Sequence, residues 1–417
     1  MGDVKLTSTG GGSVTLTPPS TASNYTVTLP AANTTLADTS STQTLTNKTL
    51  TAAGSNTVEA TSGPTSTQLA GQRNKIINGA MMIDQRNAGA SVTPADTAYT
   101  LDRWTVRCSQ SSKFSVQQNA GSVTPPVGFV NYLGVTSLSS YSVGSSDFFT
   151  LIQYIEGFNC ADLAWGTANA KSITLSFQVY SSLTGTFGGS LTSGDNNRSY
   201  PFTFSISSAN TWTTASITIA GDTSGTWLKD SGRGIGVRFN LGAKSTYSGT
   251  AGAWASATYY SATGAQSVVG TNGATFYITG VQLEKGASAT PFENRLYGTE
   301  LALCQRYFEH NYSTGYAIGS AGSYPNNTGV YINGFTASSG QKIFSTPYRV
   351  QKRTIPTVTY YDVAGNAGKI SKFDAGGTAT NNQALAATYL SDVVQGCGGT
   401  DGTNTGVGYF YVSSAEL

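Results

Sequence analysis

The sequence predicts a mainly β protein, and three observations predict it. Charged residues make up only 11% of the 417, against about 25% in ordinary soluble domains. Ser, Thr, Asn and 49 Gly must therefore carry the surface, a composition that fills strands with Thr and Tyr and corners with Gly and Asn. Aromatic residues also reach 11%, too many for a disordered chain. Apolar and polar residues alternate with a period of two in successive runs, and convincing helical spacing occurs in one stretch.

Residues 1–40 hold two alternating runs, Ser13–Thr17 and Asn24–Leu29, ended by Pro18-Pro19 and Pro30. Only Val14, Leu16, Tyr25, Val27 and Leu29 are available to bury, so this segment needs a partner surface or copies of itself. Residues 41–73 are rich in Thr, Ser and Ala, with Leu45, Leu50 and Val58 thinly spaced. They read as a flexible linker, or as an extended strand wound with two sister chains that cover its sparse apolar row.

Residues 74–295 carry strand signals at Phe148–Ile155, Ser172–Tyr180, Pro201–Ile206, Ala215–Ile219, Gly234–Leu241 and Thr275–Leu283. No amphipathic helix separates them, so the strands are antiparallel, and two packed sheets, a β-sandwich or jelly roll, suit the length. In the last run the apolar set moves from Phe276 and Ile278 to Val281 and Leu283, and Gly280 marks the bulge that shifts it.

From Leu296 to His310 the period becomes helical. Tyr297, Leu301, Cys304 and Phe308 lie on one line and Leu296, Leu303 and Tyr307 on the line beside it. So wide an apolar face suggests contact with two surfaces, the preceding domain and another chain. Tyr297, Leu301, Cys304 and Phe308 are therefore the expected homotrimer interface. Residues 311–417, rich in Tyr, form a second, smaller β domain with strand candidates Gly329–Phe335, Lys342–Phe344, Thr357–Tyr361, Lys369–Phe373 and Val407–Val412.

Two motifs carry a family resemblance over roughly residues 74–310. One comprises Asn74-Lys-Ile-Ile-Asn-Gly79, Asp84-Gln-Arg86 and Tyr99-Thr-Leu-Asp-Arg-Trp104. The other is Tyr277-Ile-Thr-Gly-Val-Gln-Leu-Glu284, continued by Thr290-Pro-Phe-Glu293 and Glu300-Leu-Ala-Leu-Cys-Gln-Arg-Tyr307. Together they resemble segments that open and close a jelly-roll domain of carbohydrate-binding-module type in tailed-bacteriophage fibre and appendage proteins. Residues 1–40 also resemble small β modules at the start of phage fibres, and Thr42–Thr51 a phrase common in fibre shafts. The resemblance implies a virion protein made in the host bacterial cytoplasm, docked through its N-terminus on other tail or baseplate proteins. It also implies non-catalytic adhesion to a host surface glycan. The alternatives are a decorating component with an assembly role only, and a glycan-degrading spike.

The charge pattern argues against a nucleic-acid partner: the net charge is +2 and the basic residues do not cluster. The densest patch, Arg349–Arg353, reads as a solvated strand edge. No run is long and apolar enough for membrane insertion. Cys108, Cys160, Cys304 and Cys397 are far apart, which suits buried apolar positions rather than a metal site.

No catalytic residue and no cofactor is expected. The one histidine, His310, stands at the end of the helical stretch, where an imidazolium would cap the C-terminus, and no Gly-x-Ser-x-Gly elbow accompanies it. Glu156, Asp162, Asp222, Asp230 and Glu284 are the carboxylates that a glycan-cleaving alternative would have to pair. Sugars offer apolar C–H faces to aromatic rings and hydroxyls to amides. On that chemistry Tyr316, Tyr324 and Tyr331 are the expected glycan-binding residues, with Trp165, Trp212, Trp227 and Trp254 left in the core.

Overall fold

The structure is a computed structural model, and it describes residues 4–7, 9–10, 13–16, 72–313, 316–321, 329–333, 341–374, 376–385, 387–400 and 406–417. Contacts divide the chain into two compact units, Met1–Thr61 and Ser62–Leu417. In the first, β1 (Val4–Thr7) pairs antiparallel with β2 (Ser13–Leu16). The expected strand at Asn24–Leu29 and the expected shaft up to residue 71 lie outside the described residues.

The second unit is built on a sandwich of two antiparallel sheets. The larger runs, in spatial order, β10 (Ser199–Ile206), β9 (Gly185–Ser193), β12 (Arg233–Ala243), β7 (Phe148–Glu156), β4 (Trp104–Cys108) and β3 (Tyr99–Leu101). The smaller runs β11 (Thr213–Ile219), β8 (Ile173–Ser181), β15 (Thr275–Lys285), β6 (Leu133–Ser137) and β5 (Phe114–Gln118). A short parallel pair, β13 (Ser248–Gly249) with β14 (Ser261–Ala262), belongs to a segment lying over the larger sheet. Alternation sends Trp104, Phe149, Phe177, Phe187, Phe239 and Phe276 into one core between the sheets. Phe177 meets Phe204 and Phe239 edge-on at centroid distances of 5.0 Å.

Gly280 interrupts β15 as its alternation predicts. The register against β8 slips between Thr279 and Gln282, and Gly280 sits at φ +61, a conformation costly for any residue with a Cβ. The first motif seats itself along the strand beyond this bulge. Asn74 Nδ2 donates to the Val281 carbonyl, its Oδ1 accepts from the Leu283 amide, and the Val281 amide donates to the Gly79 carbonyl. A Cβ on Gly79 would stand 2.2 Å from that Val281 carbonyl oxygen, so glycine is required for the approach.

The helix is shorter than its apolar pattern suggests. α1 spans Tyr297–Gln305, and the chain then turns into β16 (Phe308–His310). β16 pairs with β24 (Gly406–Ser414), because Phe308 and Glu309 find backbone partners at Ser414 and Ser413. The lower half of the apolar pattern was thus a strand with its own alternation, and period alone does not separate a short strand from the last turn of a helix. β24 is the hub of the C-terminal region. It also pairs with β17 (Val330–Asn333), β19 (Thr357–Tyr361) and β20 (Lys369–Phe373), and β21 (Ala379–Ala384) continues beyond β20. A second sheet orders β18 (Gln341–Pro347), β23 (Val394–Thr400) and β22 (Ala387–Leu390). Phe344, Tyr360, Ile370, Cys397, Tyr409 and Tyr411 form the core between them.

Candidate functional site

The outer faces of the two sandwich sheets have opposite fates. Ile152, Tyr154 and Glu156 point outward from the larger sheet, where Cys304, Tyr307 and Leu417 cover the first two. Glu156, 1% exposed, takes a bidentate pair from Arg306 at 2.7 and 3.0 Å and the Tyr307 hydroxyl at 2.6 Å. Arg103 lies against the Tyr307 ring with its guanidinium carbon 3.5 Å from the centroid and shares Glu416 with Arg86. Lys352, fully enclosed, meets Glu309 at 2.6 Å, and Arg353 donates to the carbonyls of Ser231, Ala415 and Glu416. Burial pushes the Lys352 ammonium below its ordinary range, with Glu309 opposing the shift. Within the basic stretch Arg349 stays exposed, as a solvated edge would have it, whereas Lys352 and Arg353 turn inward as an internal clamp. Lys352 found a buried carboxylate distant in sequence, and Arg353 found backbone carbonyls.

The smaller sheet is open on its outer side over β8 and β11 and covered over β15. There Ser176 and Gln178 of β8 and Thr214 and Ser216 of β11 form the floor of a groove of about 390 Å³ that reaches Gly280 of β15. One wall is Val127–Phe129 and the other Ala289–Phe292 with Asn294. Phe129 and Phe292 touch edge-on where the two walls meet, centroids 5.1 Å apart. The bulge creates this wall, since a Cβ on Gly280 would lie 2.6 Å from the Phe129 ring. No residue of the lining is charged. Thr214 donates to Gln178 Oε1 at 3.1 Å, which leaves the amide nitrogen to face an incoming group.

On the same outer face stands an aromatic platform. Tyr180 and Tyr277, opposite each other in register, stack at 5.3 Å with planes 5° apart. Tyr132 continues the stack, and Trp212 closes it against Tyr132 and Tyr180 at 5.5 Å each. Gly134 lies opposite Tyr277 in β6, and a Cβ there would be 2.8 Å from that ring. Trp165 and Trp227 are buried, and Trp254 packs with them in an edge-on trio. Trp212, however, is only half-buried and belongs to the open face rather than the core. A signal for the platform was present, because Tyr180 and Tyr277 both occupy polar-phase positions of their strands.

The expected site residues are scattered. Tyr316 is exposed, and Tyr331 packs edge-on against Phe373 at 4.7 Å beside a cavity of about 10 Å³, room for one water. Tyr324 lies outside the described residues. Of the helical set, Tyr297 is 56% exposed and Leu301 is partly buried, whereas Cys304 and Phe308 are 0% and 4% exposed. Cys304 is enclosed by Ile77, Ile83 and Tyr307, and Phe308 by the Arg86 guanidinium 3.7 Å from its ring centroid. These two are used up inside the chain. His310 is in β16 rather than at a helix end; burial pushes its imidazole below the usual range, and Nδ1 accepts from the Tyr312 amide.

The carboxylates of the cleavage alternative are likewise engaged. Asp222 is held bidentately by Arg198 at 2.7 Å, Asp162 by Lys75, and Glu284 by the Thr290 amide and hydroxyl. Asp230 accepts from the Gly232 amide.

No family model matches this sequence, and no curated protein matches it. Solved structures do match at low similarity. The enzymatically active domain of bacteriophage CBA120 tailspike protein 4 is 11% identical over 51% of this chain, at a TM-score of 0.29, and the match spans 22% of that chain. The module CBM4 is 13% identical over 50% of this chain and 98% of its own, with a TM-score of 0.27. The family 11 carbohydrate-binding module of Clostridium thermocellum, solved with a β-1,3-1,4-mixed-linked tetrasaccharide, is 11% identical over 47% and 96%, with a TM-score of 0.26. At these scores the likeness carries no argument about ligand or activity, and the functional reading rests on the groove.

Proposed function

We propose that this protein is a non-catalytic glycan-binding component of a bacteriophage tail, a fibre that holds a neutral oligosaccharide in the groove over the smaller sheet. The carrying observation is the groove itself: an uncharged lining of hydroxyls and amides beside a pair of phenylalanine rings. Ser176, Gln178, Thr214, Ser216 and Asn294 offer the hydrogen bonds, and Phe129 and Phe292 the apolar contacts, that a polyhydroxylated ring can use. A charged sugar would find no counter-charge in this lining. In this reading recognition lies on the sandwich rather than on Tyr316, Tyr324 and Tyr331.

The tail-fibre part rests on the two sequence motifs. It carries with it a virion location, docking through residues 1–40 and a homotrimeric state. In that trimer Leu296 and Tyr297, 82% and 56% exposed, are the residues at the start of the helix that would meet another chain. Weak single sites would gain avidity from three copies.

The test is titration calorimetry against neutral and uronate-containing oligosaccharides, with Gln178→Ala and Asn294→Ala as variants. Each variant is expected to weaken neutral-glycan binding about fivefold, the loss of one ordinary hydrogen bond. Binding that both variants leave unchanged removes the groove from consideration. Release of reducing ends would make the protein an enzyme. Labelling of intact particles with antibody to residues 72–310 tests the tail location.

A further inference from the structure

Away from the groove, the outer face of the larger sheet buries a cation without a matching anion. Arg238 of β12 is completely enclosed. Its Nη2 donates to Asn196 Oδ1 at 2.7 Å and to the Tyr154 hydroxyl at 3.1 Å. The Tyr260 ring covers it, with the guanidinium carbon 4.2 Å from the centroid. Its Nε and Nη1 have no acceptor among the described residues.

Three hydroxyls around it are buried and equally unpartnered: Ser190 and Thr192 of β9 and Thr150 of β7. Register places all of them on one face. Ser190 is the direct cross-strand partner of Arg238, Thr192 is the partner of Gly236, and Thr150 is the partner of Asn240. Gly236 lets the face close up around them: a Cβ there would meet Thr192 Oγ1 at 2.6 Å, with Ile152 and the Tyr154 ring at 3.3 Å. Arg233 adds a second cation 4.3 Å from the Tyr154 centroid. Asp96, the carboxylate on the neighbouring Arg107, is already taken up in that pair at 2.8 Å.

We propose that this enclosure binds a small monovalent anion of halide size. An uncompensated guanidinium in a dry interior is costly, and an ion that only accepts satisfies N–H and O–H donors together. Water would satisfy the hydroxyls but leave the charge unanswered. The enclosure of Arg238 excludes an oligosaccharide, so this site is independent of the groove. Its occupant is a structural ion that ties β7, β9 and β12 to the segment carrying Tyr260.

The test uses the full chain. Thermal melting is followed in sodium chloride or bromide, with gluconate holding ionic strength constant. The wild-type transition should rise with halide and grow as the logarithm of its concentration above the dissociation constant. Ser190→Ala and Thr192→Val keep the guanidinium and the packing; each should raise the half-saturating concentration about tenfold, one hydrogen bond to a charge. A crystal grown in bromide should show an anomalous peak beside Arg238. Melting that follows ionic strength alone, or bromide-grown crystals with only water at that place, overturns the proposal.

Discussion

Replacing Glu416 by Gln should destabilise the whole second unit, although the residue lies next to the end of the described chain. Among the described residues its carboxylate is the one anion paired with Arg103, whose side chain is 1% exposed, and it also pairs with Arg86, 12% exposed. Breaking a buried pair from one side costs about 3–5 kcal/mol, because the remaining charge stays buried. Arg103 keeps the Tyr154 carbonyl and the Tyr307 ring, and an amide oxygen can still accept once, so the low end, about 3 kcal/mol, is expected. Against a total of about 5–15 kcal/mol that is a large share. The assay is urea unfolding followed by tryptophan fluorescence, where an m-value of about 3 kcal/mol/M turns the loss into a midpoint shift of about 1 M. Adding Arg103→Met to the Glu416→Gln variant should recover part of the loss. A shift below about 0.2 M would show that the carbonyl and the ring alone satisfy Arg103, and that Glu416 locks nothing.

Three further outcomes are expected. Ending the chain at residue 310 removes β24 and leaves Arg86, Arg103 and Glu309 without their ionic partners, so residues 72–310 should unfold without a sharp transition in calorimetry. Asp102 is fully buried, and burial pushes its carboxyl up to about 6. With a folded value above the unfolded one, it adds stability as pH falls from about 6 to about 4, worth about 2 kcal/mol. Subtracting Asp102→Asn unfolding energies from wild type at several pH values should reveal that slope, and parallel profiles would contradict it. Gly280→Ala should cost about 1–2 kcal/mol from its left-handed backbone and push Phe129 aside, so that both the unfolding midpoint and glycan affinity fall.

Much of the architecture was legible because it depends on alternation. Phe276, Ile278, Val281 and Leu283 gave the inward face of β15, and the phase change at Gly280 gave its bulge. The four cysteines read as buried are buried. Legibility failed where the deciding contact was distant in sequence. Phe308 fits a helix until β24 offers it a partner 106 positions away, at Ser414, and Lys352 looks solvated until Glu309 closes over it. The groove was hidden for a related reason: its floor residues are ordinary Ser, Thr and Gln, and only the pairing of β8 with β11 and β15 makes them a surface.

The hub position of β24 also sets an order on synthesis. Residues 406–414 join β16, β17, β19 and β20, so the strands made earlier wait for their common neighbour while the chain is still emerging. Until then β16 presents an unpaired edge next to a sandwich whose ionic clamps are still missing, the kind of edge that recruits strands from other chains. Nascent or prematurely terminated chains should therefore be the species that aggregate or engage chaperones. Slower translation upstream of residue 406 would lengthen that exposure, and yield of soluble protein would report it.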